Sequence, residues 1–313
     1  MRWLLVLLVP LLSPSYKNAL VMNSQLKNSI FDLSDKTDWR GFTHQRRRKY
    51  RYLIAASNRL SFALGRWFPK ALPMVFVVGY PKSATTWASQ LVADYLRLPF
   101  PQHSLFPVGC SAVLQGHQSV SKSFPTAVYV VRDGRDVLIS GFHHLKNQME
   151  AGGGAKIHRK YFEGIDLGRP LVEHLPSFIE HCVRHPVACK EHWGDHVRTY
   201  YDAKNDRVQI VKYEDLLANP VDALTNLMQR LSGEDSVDQS RIAEAVERFS
   251  FGRQTAKATA DDSKTSYLRS GKSGGWRDKF DLASAKLFDK HFGDVLVLAG
   301  YEMDSSWVEQ FED

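Results

Sequence analysis

Cysteine is scarce: Cys110, Cys182 and Cys189 are the only three in 313 residues. An odd, sparse set excludes the disulfide framework that staples small secreted domains. No Asn-x-Ser/Thr sequence occurs, so the glycosylation acceptor of a luminal chain is missing as well. Both absences point to a reducing, cytoplasmic setting. Long apolar runs are also lacking. The one candidate, Trp3 to Leu12 in "MRWLLVLLVPLL", is interrupted by Pro10 and is shorter than the roughly 20 residues a transmembrane helix needs. Only Arg2 precedes it and no A-x-A cleavage site follows, which argues against a signal peptide; membrane association or export through this segment is the alternative address. No internal repeat is visible, and low complexity is confined to "AGGGA" at 151–155.

Acidic residues are absent from one stretch. Between Arg40 and Leu72 there are nine Lys/Arg and no Asp or Glu. The first 39 residues carry +1, so of the net +7 a balance of −3 is left for everything from Pro73 onward. The basicity belongs to an arm. A nucleic-acid-binding role for the whole chain is therefore not expected, and peripheral contact with a membrane through "RRRKYR" is the most the arm suggests. At 43% hydrophobic and 24% charged residues, the remainder can bury an ordinary core. The expected division is an N-terminal apolar segment and basic arm over 1–70, then one domain over 71–313.

Three short apolar runs are present: "MVFVVG" after Pro73, "AVYVV" at 127–131 and "RVQIV" at 207–211. Each reads as a buried parallel strand, and each leads into a segment of helical periodicity. Trp87, Leu91, Val92 and Tyr95 have helical spacing after the first, and Asp136 is placed to cap a helix after the second. Further helices are expected from about Val221, near 237–249 and near 281–292. Strands alternating with helices predict an α/β fold, a central parallel sheet covered by helices on both faces. Ligands of such sheets bind beyond the carboxyl ends of the strands.

Those ends carry the unusual residues. "FVVGYPKSATTW" at 76–87 is a strand running into a Gly, Lys, Ser and Thr turn, yet it is not a nucleoside triphosphatase loop, where Gly stands directly before Lys. Lys82, the hydroxyls of Ser83, Thr85 and Thr86, and a helix N-terminus make an anion site there. Arg132 follows the second strand, with Ser140 eight residues on, and Arg suits bidentate phosphate recognition. "YLRSGKSGGWRDKF" at 267–280 adds Arg269, Lys272, Arg277 and a glycine-rich backbone. Two separate anion sites are expected.

These residues resemble the PAPS-dependent sulfotransferases. That family's 5′-phosphosulfate loop looks like Tyr-Pro-Lys-Ser-Gly-Thr-Thr-Trp, matched here by "YPKSATTW". Its 3′-phosphate signature is similar to "RDGRDVLIS", with Arg132 and Ser140. Its Tyr-Glu-Asp after a strand is matched by "YEDLLANP" with Tyr213, and its Arg-Lys-Gly-x-x-Gly-Asp-Trp by "RSGKSGGW", which keeps Arg269, Gly271, Gly274 and Trp276. The four stand in the family's order across 79–277. The resemblance implies a P-loop-like three-layer sandwich and a PAPS-dependent sulfotransferase. PAPS would be the co-substrate, adenosine 3′,5′-bisphosphate the product, and no metal would be required. It implies Lys82 at the leaving oxygen and Ser83, Ala84, Thr85 and Thr86 around the 5′-phosphate. Trp87 and Tyr213 would flank the adenine, and Arg132, Ser140, Arg269, Ser270 and Gly271 would hold the 3′-phosphate.

The chain departs from the pattern at several places. Ala84 replaces the loop glycine, so its backbone is expected to accommodate a Cβ. Ser270 replaces a Lys and Gly275 an Asp. The family's catalytic His follows Lys-Thr, and in "LQGHQSV" the matching places hold Gln115 and Gly116. His117 is the expected general base, with His103, His143 and His144 as other candidates. The acceptor, a small molecule, lipid or carbohydrate, would enter between loops at 100–120 and 145–175. A P-loop-like kinase or NTPase is the second reading, and a non-catalytic binding protein on a degenerate sulfotransferase fold the third. "HCVRHPVACKEH" does not make a zinc site, because Pro186 interrupts any helix that would align its ligands, and along a helix His181 and His192 lie roughly 16 Å apart.

Overall fold

The computed structural model describes residues 56–57, 59–68, 74–100, 111–150, 161–187, 189–250, 252–253 and 271–311. The strands expected from the sequence form: β1 (Met74–Gly79), β3 (Ala127–Val131) and β4 (Val208–Lys212). A further strand, β2 (Ala112–Gly116), lies where a loop was expected. All four are parallel, in the order β2-β1-β3-β4. "AVLQG" contains one Val and one Leu and ends in glycine, so its strand character comes from pairing with β1 and not from its own composition.

The helices are α1 (Thr85–Leu96), α2 (Gly134–Glu150), α3 (Leu175–Arg184), α4 (Trp193–Ala203), α5 (Tyr213–Ala218), α6 (Pro220–Ser232), α7 (Gln239–Arg248) and α8 (Leu282–Leu298). Alternate strand residues point to opposite faces. Met74, Phe76 and Val78, with Tyr129 and Val131, meet Phe142, Phe178, Val197 and Phe288 from α2, α3, α4 and α8. Val75, Val77, Val128 and Val130 meet Leu91, Leu224, Leu227 and Ile242 from α1, α6 and α7. Helices on both faces are why the strands read as continuous apolar runs, not as an alternation. The result is a three-layer α/β sandwich.

Chain order matters for the site. From β1 the chain moves to β2 on one side, and from β3 it continues to β4 on the other. The carboxyl ends of β1 and β3 are therefore the switch point, where connections diverge and leave a crevice. β1 and β3 come very close there. A Cβ on Gly79 would lie 2.4 Å from the Val130 carbonyl oxygen, so only glycine fits.

A helical stretch at 59–67 precedes β1, and its Phe62 ring packs edge-on against Phe76 and Phe124 at 5.4 and 4.8 Å. Residues 1–55, which hold the apolar segment and most of the basic arm, lie outside the described residues. No helix among the described residues is long and apolar enough to cross a membrane. α3 ends at Arg184 and α4 starts at Trp193, so the helix does break around Pro186.

Candidate active site

The turn after β1 rises out of the buried strand at Tyr80 and Pro81 and folds back by a bond from the Ser83 N–H to the Tyr80 carbonyl, 3.1 Å. Two of its residues are left-handed: Lys82 at φ +75° and Ala84 at φ +63°. Ala84 is the N-cap of α1. The family's glycine would adopt this conformation without cost, and alanine holds it against its own Cβ. So the backbone was not reshaped for the side chain; the side chain is carried through a glycine-like turn.

No side chain caps α1, so the first N–H groups of the helix stay available for an anion. The Ser83 hydroxyl is buried and, among the described residues, has no protein partner. The two threonines differ from expectation. Thr86 donates its hydroxyl hydrogen to Gln115 Oε1 at 3.1 Å, and Gln115 Nε2 donates to Thr85 Oγ1 at 3.0 Å. One carboxamide from β2 thus holds both hydroxyls, which leaves the Thr85 hydrogen the one free to be offered onward.

Arg132, directly after β3, reaches back over the same turn. Its guanidinium donates to the Lys82 carbonyl at 3.2 Å and to the Lys272 carbonyl at 3.4 Å. It lies 4.3 Å from the centre of the Tyr213 ring, and its Nε is buried without a hydrogen-bond partner. The Lys82 turn, the end of β3 and the 271–276 loop therefore meet at one guanidinium. Ser140 sits on α2, half-buried. Gly271 is described, at φ +56°, but Arg269, Ser270 and His103 lie outside the described residues.

Trp87 and Tyr213 meet edge to face, with centroids 6.1 Å apart. They form one continuous wall, not two jaws. Trp87 is fixed by a bond from its indole N–H to the Phe249 carbonyl, 2.9 Å. Trp276 is wholly buried, stacked on Arg135 at 3.7 Å and packed against Phe280 and Trp307. It is an anchor for its loop.

Asp136 is not the N-cap expected from the sequence. It lies in the first turn of α2, and its carboxylate accepts from the N–H groups of Gly274 and Trp276 at 2.8 and 3.1 Å. It tethers the glycine-rich loop beside Arg132. Burial raises its pKa, against the nearby Arg132 charge and these two bonds.

His117 is brought in by β2. Its Nδ1 lies 2.7 Å from the Gly79 carbonyl oxygen. A carbonyl only accepts, so Nδ1 carries the hydrogen and Nε2 presents a lone pair. Burial lowers the pKa of the ring, against the opposing effect of that bond, so the basic form persists below the usual histidine range. His143 and His144 lie further along α2, where His144 Nε2 is 2.9 Å from Gln148 Nε2.

Beside Lys82 lies a small apolar cavity of about 30 Å³ between α2, α3, α4 and α8. Tyr80, Pro81, Leu138, Phe178, Trp193 and Phe288 are among its walls. The described parts of 100–120 and 145–175 do not line it, so this space is framed by helices and not by the loops expected to form the acceptor pocket. Among the described residues no group of His, Cys, Asp or Glu is arranged to hold a metal ion.

The sulfotransferase-domain family model matches residues 111–304, well over half of the chain. The chain belongs to the sulfotransferase family. The match begins after the Lys82 turn, so that turn rests on its own residues and geometry. Among sulfotransferase relatives, cattle (Bos taurus) sulfotransferase 1A1 is 22% identical, covering 73% of this chain and 84% of its own. Rabbit (Oryctolagus cuniculus) amine sulfotransferase is 23% identical over 71% of this chain and 80% of its own. A crystal structure of a mouse sulfotransferase complexed with PAP shares the fold at TM-score 0.55, 20% identity, 82% of this chain and 95% of its own. Retinol dehydratase in complex with androsterone and PAP does so at TM-score 0.51 and 18% identity, over 71% and 80%.

Proposed function

We propose that this sulfotransferase moves the sulfonate of PAPS to the hydroxyl of a small, largely apolar acceptor, with His117 as general base. The observation that carries this is the orientation of His117. Its ring is tethered by Nδ1 to the end of β1, from which the Lys82 turn starts, and Nε2 is left with a lone pair. The mouse relative complexed with PAP supports the donor.

The residues suit the donor's two anionic ends. Around the 5′ end they offer the uncapped α1 N-terminus, the unpartnered Ser83 hydroxyl and Lys82. Around the 3′ end stand Arg132, with its unpartnered Nε, and Ser140. The Trp87–Tyr213 wall lies between the turn and α5 and suits the adenine. Gly271 belongs to the same 3′ side, and Arg269 and Ser270 are assigned to it by motif.

In the reaction, Nε2 of His117 takes the proton from the acceptor hydroxyl, whose oxygen attacks sulfur in line. The sulfur–oxygen bond to the 5′-phosphate breaks as the new one forms. Lys82 and the α1 N–H groups stabilise the charge that gathers on the departing oxygen. The apolar walls beside Lys82, Tyr80, Phe178, Trp193 and Phe288 among them, favour an apolar acceptor. Domain boundaries at 70/71 and a cytoplasmic address remain part of this proposal.

Two assays test it. Calorimetric titration should show adenosine 3′,5′-bisphosphate binding far more tightly than ADP, where the reverse would favour the kinase reading. Labelled PAPS offered with small phenols, lipid alcohols, amines and sugars should label the first group most. Binding without turnover on any acceptor would make the protein a non-catalytic one.

A further inference from the structure

We propose that His196 is a positioning residue for the His117 base, acting through the main chain and not through the imidazole of His117. The inference rests on the reading of His117 as base, and His196 itself lies outside the four motifs.

His117 follows directly on β2, in an irregular segment that leads to β3. A base on such a segment needs external support to keep its geometry. α4 supplies it at two points one turn apart. His196 Nε2 lies 3.3 Å from the His117 carbonyl oxygen, and Thr199 Oγ1 accepts from the Val120 N–H at 3.0 Å. Cys189 Sγ adds a weak contact to the same His117 carbonyl at 3.5 Å. With the Nδ1 bond to Gly79, the residue is held from both its ring and its backbone.

The direction of the bond to the His117 carbonyl is fixed by chemistry. The His117 carbonyl can only accept, so His196 Nε2 carries the hydrogen. In the neutral ring Nδ1 is then an acceptor, and Tyr129 Oη stands 2.8 Å from it. The His196 carbonyl, 3.1 Å from the same hydroxyl, also accepts from Thr199 Oγ1 at 2.7 Å. The His196 ring is stacked on Tyr129 and touched edge-on by Tyr80, wholly buried. Burial, and to a lesser degree the neighbouring His117, keep it neutral, while Glu191 and the bond to the His117 carbonyl oppose them. A neutral ring donating on one side and accepting on the other is what this place requires.

The test compares His196→Leu, His196→Gln and His196→Asn. Leucine removes the donor, and kcat should fall about 10- to 100-fold, the scale of a slightly displaced catalytic group, with donor KM little changed. Glutamine can place an amide N–H near the Nε2 position and should restore most of the rate. Asparagine is too short to reach the His117 carbonyl and should not. In a His117→Ala background the leucine change should cost nothing more. A folded His196→Leu protein with the parental kcat overturns the proposal, as does an equal additional loss in the His117→Ala background. If the leucine variant does not fold, Gln and Asn decide, and equal rates for the two overturn it. Failure of the base reading shows separately, as a His117→Ala enzyme that keeps its kcat.

Discussion

His117 Nδ1 and the Gly79 carbonyl are 2.7 Å apart, a bond between the first irregular residue after β2 and the last residue of β1. His117 and the Lys82 turn therefore share one reference point. His117→Ala should cut kcat by the ~10²–10⁴-fold typical of a lost general base and leave adenosine 3′,5′-bisphosphate binding intact. Because burial lowers the pKa of His117, the acid limb of the kcat/KM profile should fall below the ordinary histidine value of about 6.5. A limb above it would exclude this ring as the titrating group.

His196 makes a stability prediction that does not depend on catalysis. Its pKa falls from 6.5 to about 4 on folding. Between those values the unfolded chain binds more protons than the folded one, so this contribution is fully present above pH 6.5 and is lost as pH falls towards 4. Each unit inside that window should cost up to about 1.4 kcal/mol. Urea midpoints measured across it should drop less steeply in His196→Gln.

Lys82→Ala should lower kcat by about 10²–10³-fold, the usual effect of removing one group that acts on transition-state charge. Donor affinity should change far less, because the α1 N-terminus and Ser83 remain. Single-turnover measurements separate the two, and an unchanged rate would remove Lys82 from the chemistry.

Arg132 has a double attachment, to the Lys82 carbonyl and to the Lys272 carbonyl. Arg132→Ala should weaken adenosine 3′,5′-bisphosphate by about 1.5–3 kcal/mol, the scale of a hydrogen bond to a charged group. Since the same side chain braces the turn, adenosine 5′-phosphosulfate should also lose some affinity, though less. Equal losses for the two ligands would make Arg132 a brace alone.

Ala84→Gly should be neutral or stabilising. It removes a left-handed cost of about 1–2 kcal/mol and returns about 0.4–1 kcal/mol of unfolded-state entropy. Thermal unfolding checks this. A drop of several degrees would mean that the Cβ has a packing role outweighing its strain.

What the sequence reveals about this site is what lies close together along the chain. Lys82 and Ser83 follow their strand by a few residues, Arg132 follows its own directly, and local pattern suffices to find them. Gln115, Asp136 and His196 escaped because their partners are distant in sequence. Gln115 meets Thr86 across 29 positions, Asp136 meets Trp276 across 140, and His196 meets His117 across 79. β2 escaped for a similar reason, since its burial beside β1 compensates for a weak strand composition. The Trp87–Tyr213 pairing was legible as proximity but not as angle, because ring orientation is decided by the Phe249 carbonyl that holds the indole.

The strand order sets a schedule for biosynthesis. β1 can acquire β2 and then β3 while the ribosome is still making the first half of the chain, but the outer edge of β3 has no partner until β4 emerges, some 80 positions later. At a synthesis rate of about 5–20 residues per second that is a wait of seconds with an apolar strand edge uncovered. Over that interval α2, α3 and α4 are the segments emerging, and they cover one face of the sheet, not its edge. Parallel sheets of this kind are slow to close. The nascent chain is therefore most exposed to misassociation after the Lys82 turn has been made and before the sheet that supports it is complete.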